Sequence, residues 1–262
     1  MAAWGTPGGS GLRLPDAPPP DALADAHASL TTLGALDDEG TLTPLGRTLA
    51  SIPTDPRLAR ALLASTPVVG SDVASRTVAA LSLEAPLPLD GRSIDGPRAS
   101  RERLAKEAER FARIARRHAG DARPETSGEL EGLEAPHDPA HAAGIVVGLA
   151  YPERLARRVE PGIYECAGGT RAGTDETSLD EWIAIAEMQR SNAKAARGTG
   201  AIIRSAAPLT EEEALACAGP LVSERTEIDF GESGAKARRV KVLGSIVLSS
   251  TPTKAEGAGA RE

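Results

Sequence analysis

Few residues in this chain could carry catalytic chemistry. Hydrolysis of a nucleoside triphosphate needs a phosphate cradle of the form G-x-x-x-x-G-K-[S/T], in which backbone amides and a lysine meet the phosphates. The nearest run is Gly168-Gly169-Thr170-Arg171-Ala172-Gly173-Thr174, and it lacks the lysine. It reads as a loop joining two strands. No Asp-Glu-x-His is present to hold magnesium, and neither Asp175-Glu176 nor Asp180-Glu181 follows an apolar strand. His27 and His118 have no Cys or His at ligand spacing. His137 and His141 are four apart, but Pro139 breaks the segment between them, and His137 reads as solvated. Cys166 and Cys217 are isolated and read as reduced thiols of a cytosolic protein. The sequence therefore predicts no catalytic, cofactor-binding or metal-ligating residue in this chain, and no ATP hydrolysis by the chain alone.

What remains is charge. The net charge is −7, so nucleic-acid binding has to come from local patches. Lys236, Arg238, Arg239 and Lys241 place four cations within six residues. Such a strand can meet a phosphate backbone, or be a solvated edge guarded by charge. It can also pair with Glu224, Glu227 and Asp229 across a hairpin. Alternation puts Arg238 and Arg239 on opposite faces, so at most one of them shares a face with a given acidic row. That tips the reading toward RNA. A second basic surface lies on a helix from Ser100 to His118. There Arg103, Lys106, Arg110, Arg113 and Arg117 oppose the apolar stripe Leu104, Ala108, Phe111 and Ala115. Arg103 and Arg110 are its candidate contacts. Aromatics for base stacking are scarce, with Tyr164, Trp182 and Phe230 the candidates near the basic strand.

The elements that must position these residues begin with Leu30 to Arg60. Ala26, Leu30 and Leu33 form one stripe of a first helix. Gly34 ends that helix, since glycine reaches the left-handed conformation at low cost. Asp37-Asp38-Glu39-Gly40 is a turn between the short extended pieces Ala35-Leu36 and Thr41-Leu42. Gly40 is expected at positive φ. Thr43-Pro44 and Asp55-Pro56 each supply a capping oxygen followed by a proline, which starts a helix. The pattern is a small winged helix handing over to a helical bundle.

These residues resemble a known family. Leu-Gly-Ala-Leu-Asp at 33–37, Gly-x-Leu-Thr-x-x-Gly-Arg at 40–47 and Pro-x-x-Pro-Arg-Leu-Ala-Arg at 53–60 are similar to the region that follows the motor of DEAH-box RNA helicases. Ala3-Trp4-Gly5, Leu149 to Arg154, and Arg238-Arg239 with Leu243-Gly244 resemble the bacterial HrpB branch. The resemblance runs from about Ala2 to about Pro252. It implies an accessory C-terminal part of an ATP-dependent helicase that moves 3′-to-5′ on RNA. Its partners would be single-stranded RNA, or DNA, and RecA-like motor lobes in the same or a separate chain. ATP and magnesium would belong to those lobes. Ala-Trp-Gly beginning at the third residue suggests part of a longer protein or a mis-read start. The other readings are a free-standing, non-catalytic nucleic-acid-binding module and a nonfunctional gene fragment.

In chain order, residues 1–20 are expected to be irregular and 21–54 a winged helix. Residues 55–160 are expected to form a helical bundle, with a flexible polar insertion at about 119–138. Within it, Pro139 to Tyr151 is a small-residue apolar helix, packed where backbones approach closely. Glu153 to Val159 reads as a basic turn or short helix. Residues 161–250 are expected to form an OB-like barrel of five strands, at Ile163–Ala167, Glu181–Met188, Gly200–Ala206, Ser223–Phe230 and Ala235–Leu248, with a helix capped by Thr210 before the fourth. The tail from Thr251 is expected to be disordered. The fold class is α+β. No apolar run approaches the ~20 residues that span a bilayer, and no signal peptide is evident, which fits a cytoplasmic protein.

Overall fold

The computed structural model describes residues 2–9, 11–85, 87, 98–118, 130, 132–176, 178–231 and 234–253; residues 4, 7, 229–231 and 234–236 are described by backbone alone. The fold is α+β. Helix α1 (Pro20–Thr32) ends at Gly34, φ 69°. The wing is a single bridge between Leu36 and Leu42. Its turn is held by Asp37, whose Oδ1 accepts from the Thr41 amide at 2.7 Å and the Glu39 amide at 3.1 Å. Gly40 sits in that turn at φ 79°, as the sequence predicts. Helix α2 (Pro44–Ser51) starts where Thr43 caps the Gly46 amide. Gly46 packs against the wing. A Cβ there would lie 2.0 Å from the Ala35 carbonyl oxygen, so this glycine lets the wing lie directly on α2.

Helix α3 (Pro56–Ser82) begins at the Asp55 cap. It contains Pro67 and is kinked at Gly70 (φ 80°, ψ 156°), which divides it into two helical stretches. Helix α4 (Arg98–Arg117) buries Ala108, Phe111 and Ala115, the expected stripe. Helix α5 (Pro139–Ala150) is the hub. Nine of its twelve residues are buried, and it packs on α3, on a further helix α6 (Glu211–Ala218) and on the sheet. Its glycines permit this. A Cβ on Gly144 would stand 2.1 Å from the Pro208 carbonyl oxygen, and one on Gly148 would stand 3.0 Å from Cys217 Cβ.

The strands depart from the expected layout. Five form a closed barrel in the order β1-β2-β3-β5-β4: β1 (Leu155–Glu160), β2 (Ile163–Cys166), β3 (Arg171–Gly173), β4 (Trp182–Arg190) and β5 (Ala201–Leu209). The segment expected as a basic turn or short helix is thus mostly strand β1, which pairs with β2 and β4. The last strands, β6 (Val222–Gly231), β7 (Gly234–Leu243) and β8 (Ile246–Thr253), form a separate three-stranded sheet. Ala235 to Leu248 is not one strand, because Gly244 turns the chain at φ 55° with its Cα over the Ala167 carbonyl. Strand β8 runs to Thr253, so the expected disorder from Thr251 does not hold for its first three residues. The polar insertion is anchored at its far end. Leu130 is buried and Leu133 packs on the core. Residues 119–129 and 131 of that insertion, residues 88–97 and the tail from residue 254 lie outside the described residues.

One continuous apolar core joins these modules. It runs from Ala35 and Leu45 of the winged helix through α3, α4 and α5 to Trp182, Leu209, Leu243 and Ile246. A second cluster fills the barrel: Ala156, Tyr164, Cys166, Ala172, Leu179, Ile183, Ile185, Ala201, Ile203 and Ala206. Winged helix, bundle and barrel are therefore held in fixed relation, at the general driving force of about 25 cal/mol per Å² of buried apolar surface. Polar contacts add to the join. Arg57 at the start of α3 meets Glu153 at 2.8 Å, and Arg154 reaches the Ala186 carbonyl of β4 at 3.0 Å while lying over the Tyr151 ring.

Candidate nucleic-acid interface

The basic strand is β7, the central strand of the separate sheet rather than a strand or edge of the barrel. Its register sets what each cation meets. Glu224 lies opposite Lys241, Glu227 opposite Arg238, and Asp229 opposite Lys236. Arg239 lies between Thr226 on one side and Thr251 on the other. Arg238 and Arg239 are both exposed and Lys241 is half-buried. The side chain of Lys236 lies outside the described residues. Glu227 is engaged along its own strand, with Arg225 Nη2 at 2.8 Å. Cross-strand acids therefore face three of the four cations, and Arg239 has only neutral neighbours across the ladder. Of the four, Arg239 is best placed for a phosphate.

On α4 the two candidates part company. Arg103 is exposed. Arg110 is tied into the fold: it donates to the Pro53 carbonyl at 3.2 Å, pairs with Glu107, and lies over the Phe111 ring at 4.8 Å. It fastens α4 to the turn between α2 and α3.

Two of the three proposed stacking aromatics are core residues. Tyr164 is 1% exposed and Trp182 3%. The Tyr164 hydroxyl donates to the Asp180 carbonyl at 2.8 Å, and burial pushes its pKa up. Arg157 lies over the Trp182 ring at 5.6 Å. Phe230's side chain lies outside the described residues. Neither described aromatic can stack on a base.

A further basic surface, not singled out by the sequence reading, lies on the barrel. The hairpin joining β4 to β5 carries Arg190, Lys194, Arg197 and Arg204, and no acid occurs between Arg190 and Thr210. All four are exposed. Arg197 serves the fold, since its Nε donates to the Thr174 carbonyl at 2.9 Å, over Gly162. Arg204 leans on Gln189 at 3.2 Å. Arg190 and Lys194 have no ion pair among the described residues. The acid-free run was visible in the sequence; cations alone, without acids nearby, were the signal.

Other candidates of the sequence are engaged in the fold. Gly168 to Thr170 lies in the turn between the antiparallel strands β2 and β3, and Arg171 to Gly173 is β3 itself, so the run joins strand to strand and not a strand to a helix. The Gly168 amide donates to the Glu153 carbonyl and the Gly169 amide to the Cys166 carbonyl, both at 2.8 Å, so neither is aimed at a phosphate. The loop does not fit ATP. Glu181 is paired with Arg157 at 2.9 Å. His141 belongs to the scaffold: its Nδ1 lies 2.8 Å from Oε2 of the buried Glu213, itself half of a capping box with Thr210.

Known proteins share parts of this sequence and its fold. Residues 26–54 match the helicase associated domain (HA2), winged-helix. Over that segment the chain is similar to the winged-helix part of the helicase associated region. Curated helicases are similar to this chain over short segments. The pre-mRNA-splicing factor ATP-dependent RNA helicase prp22 of Schizosaccharomyces pombe is 41% identical over 68 residues, 26% of this chain and 6% of that one. DExH-box ATP-dependent RNA helicase DExH1 of Arabidopsis thaliana is 43% identical over 76 residues, 28% of this chain and 8% of that one. Two crystal structures of Escherichia coli HrpB, a DExH-box NTPase, have this fold. Their TM-scores are 0.67 and 0.70 at 23% and 21% identity, and they cover 92% and 97% of this chain. The chain spans 28% and 30% of those HrpB chains.

Proposed function

We propose that this chain acts as the accessory C-terminal part of an ATP-dependent DEAH-box RNA helicase of the HrpB kind. In this reading it contacts single-stranded RNA and supports RecA-like motor lobes in the same or a separate polypeptide, in the cytoplasm. ATP and magnesium act in those lobes. The observation that carries the reading is the winged helix joined through one core to a bundle and a barrel with the HrpB fold. The barrel's strand order, closing β4 on β1, suits an OB barrel, a class that binds oligonucleotides through its β1–β2 and β4–β5 loops. That β4–β5 loop carries Lys194 and is flanked by Arg190 at the end of β4 and Arg204 in β5, within the acid-free run from Arg190 to Leu209. With its nearby aromatics buried, contact is through the phosphate backbone, hence tolerant of sequence and sensitive to salt. In the complete enzyme the bundle braces the strand and the barrel closes the exit of the RNA path.

The purified chain is expected to hydrolyse no ATP, with or without RNA. Turnover that survives rigorous purification and is lost on substituting a residue of this chain would overturn that division of labour.

A further inference from the structure

Strand β6 is one edge of the three-stranded sheet; β7 lies on one side and the other side is open among the described residues. Ser223 to Ile228 are all exposed, and Ile228 shows 46% of its surface. An open edge presents unpaired N–H and C=O groups to any strand that fits. Natural edges are blunted by proline, by bulges or by charge. The opposite edge, β8, carries Pro252 and pairs with β7 through a register shift at Lys241/Val242. Strand β6 has neither device. Its ladder with β7 runs without a shift from Val222 to Gly231. Its charges are mixed in sign: Glu224, Arg225, Glu227 and Asp229.

We propose that β6 pairs antiparallel with β6 of a second copy of this chain, about a twofold axis at Thr226. An axis perpendicular to the sheet keeps each side chain on its own face, so a symmetric pair must be centred on a residue. Centring on Glu224, Arg225 or Glu227 sets like charges against each other. Centring on Ile228 sets Glu227 against Asp229. Within Glu224–Ile228, only Thr226 leaves no like pair. It places Arg225 opposite the partner's Glu227 and Glu227 opposite the partner's Arg225. Ile228 then lies against the aliphatic stem of the partner's Glu224. Residues directly opposite have Cβ atoms about 4.5–5.5 Å apart, an ion-pairing distance for these side chains. In the single chain Arg225 and Glu227 already hold each other, 58% and 51% exposed. Dimerisation exchanges their partners and leaves neither charge alone. The contact is one strand wide, so the dimer is weak and salt-sensitive.

Sedimentation velocity of the full chain over a wide concentration range tests this. The wild type is expected to shift from monomer toward dimer as concentration rises. Arg225→Glu and Glu227→Arg each set like charges opposite at two places and should weaken association about tenfold. Mixing the two single variants should restore it, because every facing pair is then Glu against Arg. The Arg225→Glu/Glu227→Arg double variant should also dimerise. Hydrogen exchange of the wild type reads the same event without substitution, as concentration-dependent protection of β6 amides. A monomer at every concentration overturns the proposal. So does a dimer indifferent to both single variants, a mixture that fails to associate, or protection that arises elsewhere than β6.

Discussion

Gly144→Ala tests the hub of the fold. A Cβ at this position would stand 2.1 Å from the Pro208 carbonyl oxygen and 2.9 Å from Leu209 Cδ2. An ordinary carbon–oxygen contact is about 3.3 Å, so helix and strand must separate by about 1.2 Å. The obstacle is β5 backbone, held on its far side in the barrel, while α5 is held by α3 and α6. Neither can move without opening the core. Forcing extra volume into a packed core costs about 1–3 kcal/mol, and a backbone obstacle belongs at the upper end. Alanine in place of glycine inside a helix returns about 1 kcal/mol. The expected net loss is about 2 kcal/mol, or a melting temperature lower by about 4–8 °C in a chain of this size. Gly148→Ala is the control. Its nearest neighbours are side-chain atoms of Cys217 and Leu155 at 3.0 Å, which can yield a few tenths of an ångström. Its helix gain should offset most of that strain. Thermal melts followed by circular dichroism compare the two. A Gly144→Ala protein as stable as the wild type would refute the close approach of α5 to β5.

Other outcomes follow from the same reasoning. Gly40→Val should cost about 1–2 kcal/mol, because φ 79° strains a β-branched residue, with the His27 ring 2.9 Å from the new Cβ as a further crowding; an unchanged melting curve would count against the wing turn. Cys166 is 1% exposed, and burial pushes its thiol up to about 11, so alkylating reagents at pH 8 should leave it unmodified until the chain unfolds. The folded state holds that proton more tightly than the unfolded one. Its contribution to stability is therefore present below the free thiol's range near pH 9 and fades as pH climbs toward 11, which melts at a series of alkaline pH values would follow.

The winged helix was legible because each of its steps is a local device. Thr43-Pro44 and Asp55-Pro56 announce helix starts, and Gly34 and Gly40 sit where only a positive φ closes the turn. The stripe Leu104–Ala115 and the small-residue helix α5 were legible from period and residue size. The sheets were harder because their cues are not local. Strand β1 buries Leu155 and Ala156 and then exposes Val159 and Glu160, so it shows no period of two. Strand β3 has three residues, too few for any period. The turn at Gly244-Ser245 sits inside a run of apolar residues, and only the Ala167 carbonyl beneath Gly244 explains it. The basic strand itself was legible, but its neighbours were not. Which acid faces which arginine depends on register across β6 and β7, and the buried state of Tyr164 and Trp182 depends on barrel closure.

The central claim is that this chain meets single-stranded RNA through its cationic hairpin and Arg239. Equilibrium binding to a single-stranded RNA, measured at several salt concentrations, tests it most directly. The comparison is wild type against an Arg190→Ala/Lys194→Ala/Arg204→Ala variant and an Arg238→Ala/Arg239→Ala variant, each checked for an unchanged melt. The account predicts weaker binding for every RNA sequence, with the slope of log affinity against log salt flattened by about 0.7 per lost phosphate contact. Wild-type affinity and an unchanged slope in both variants would contradict it.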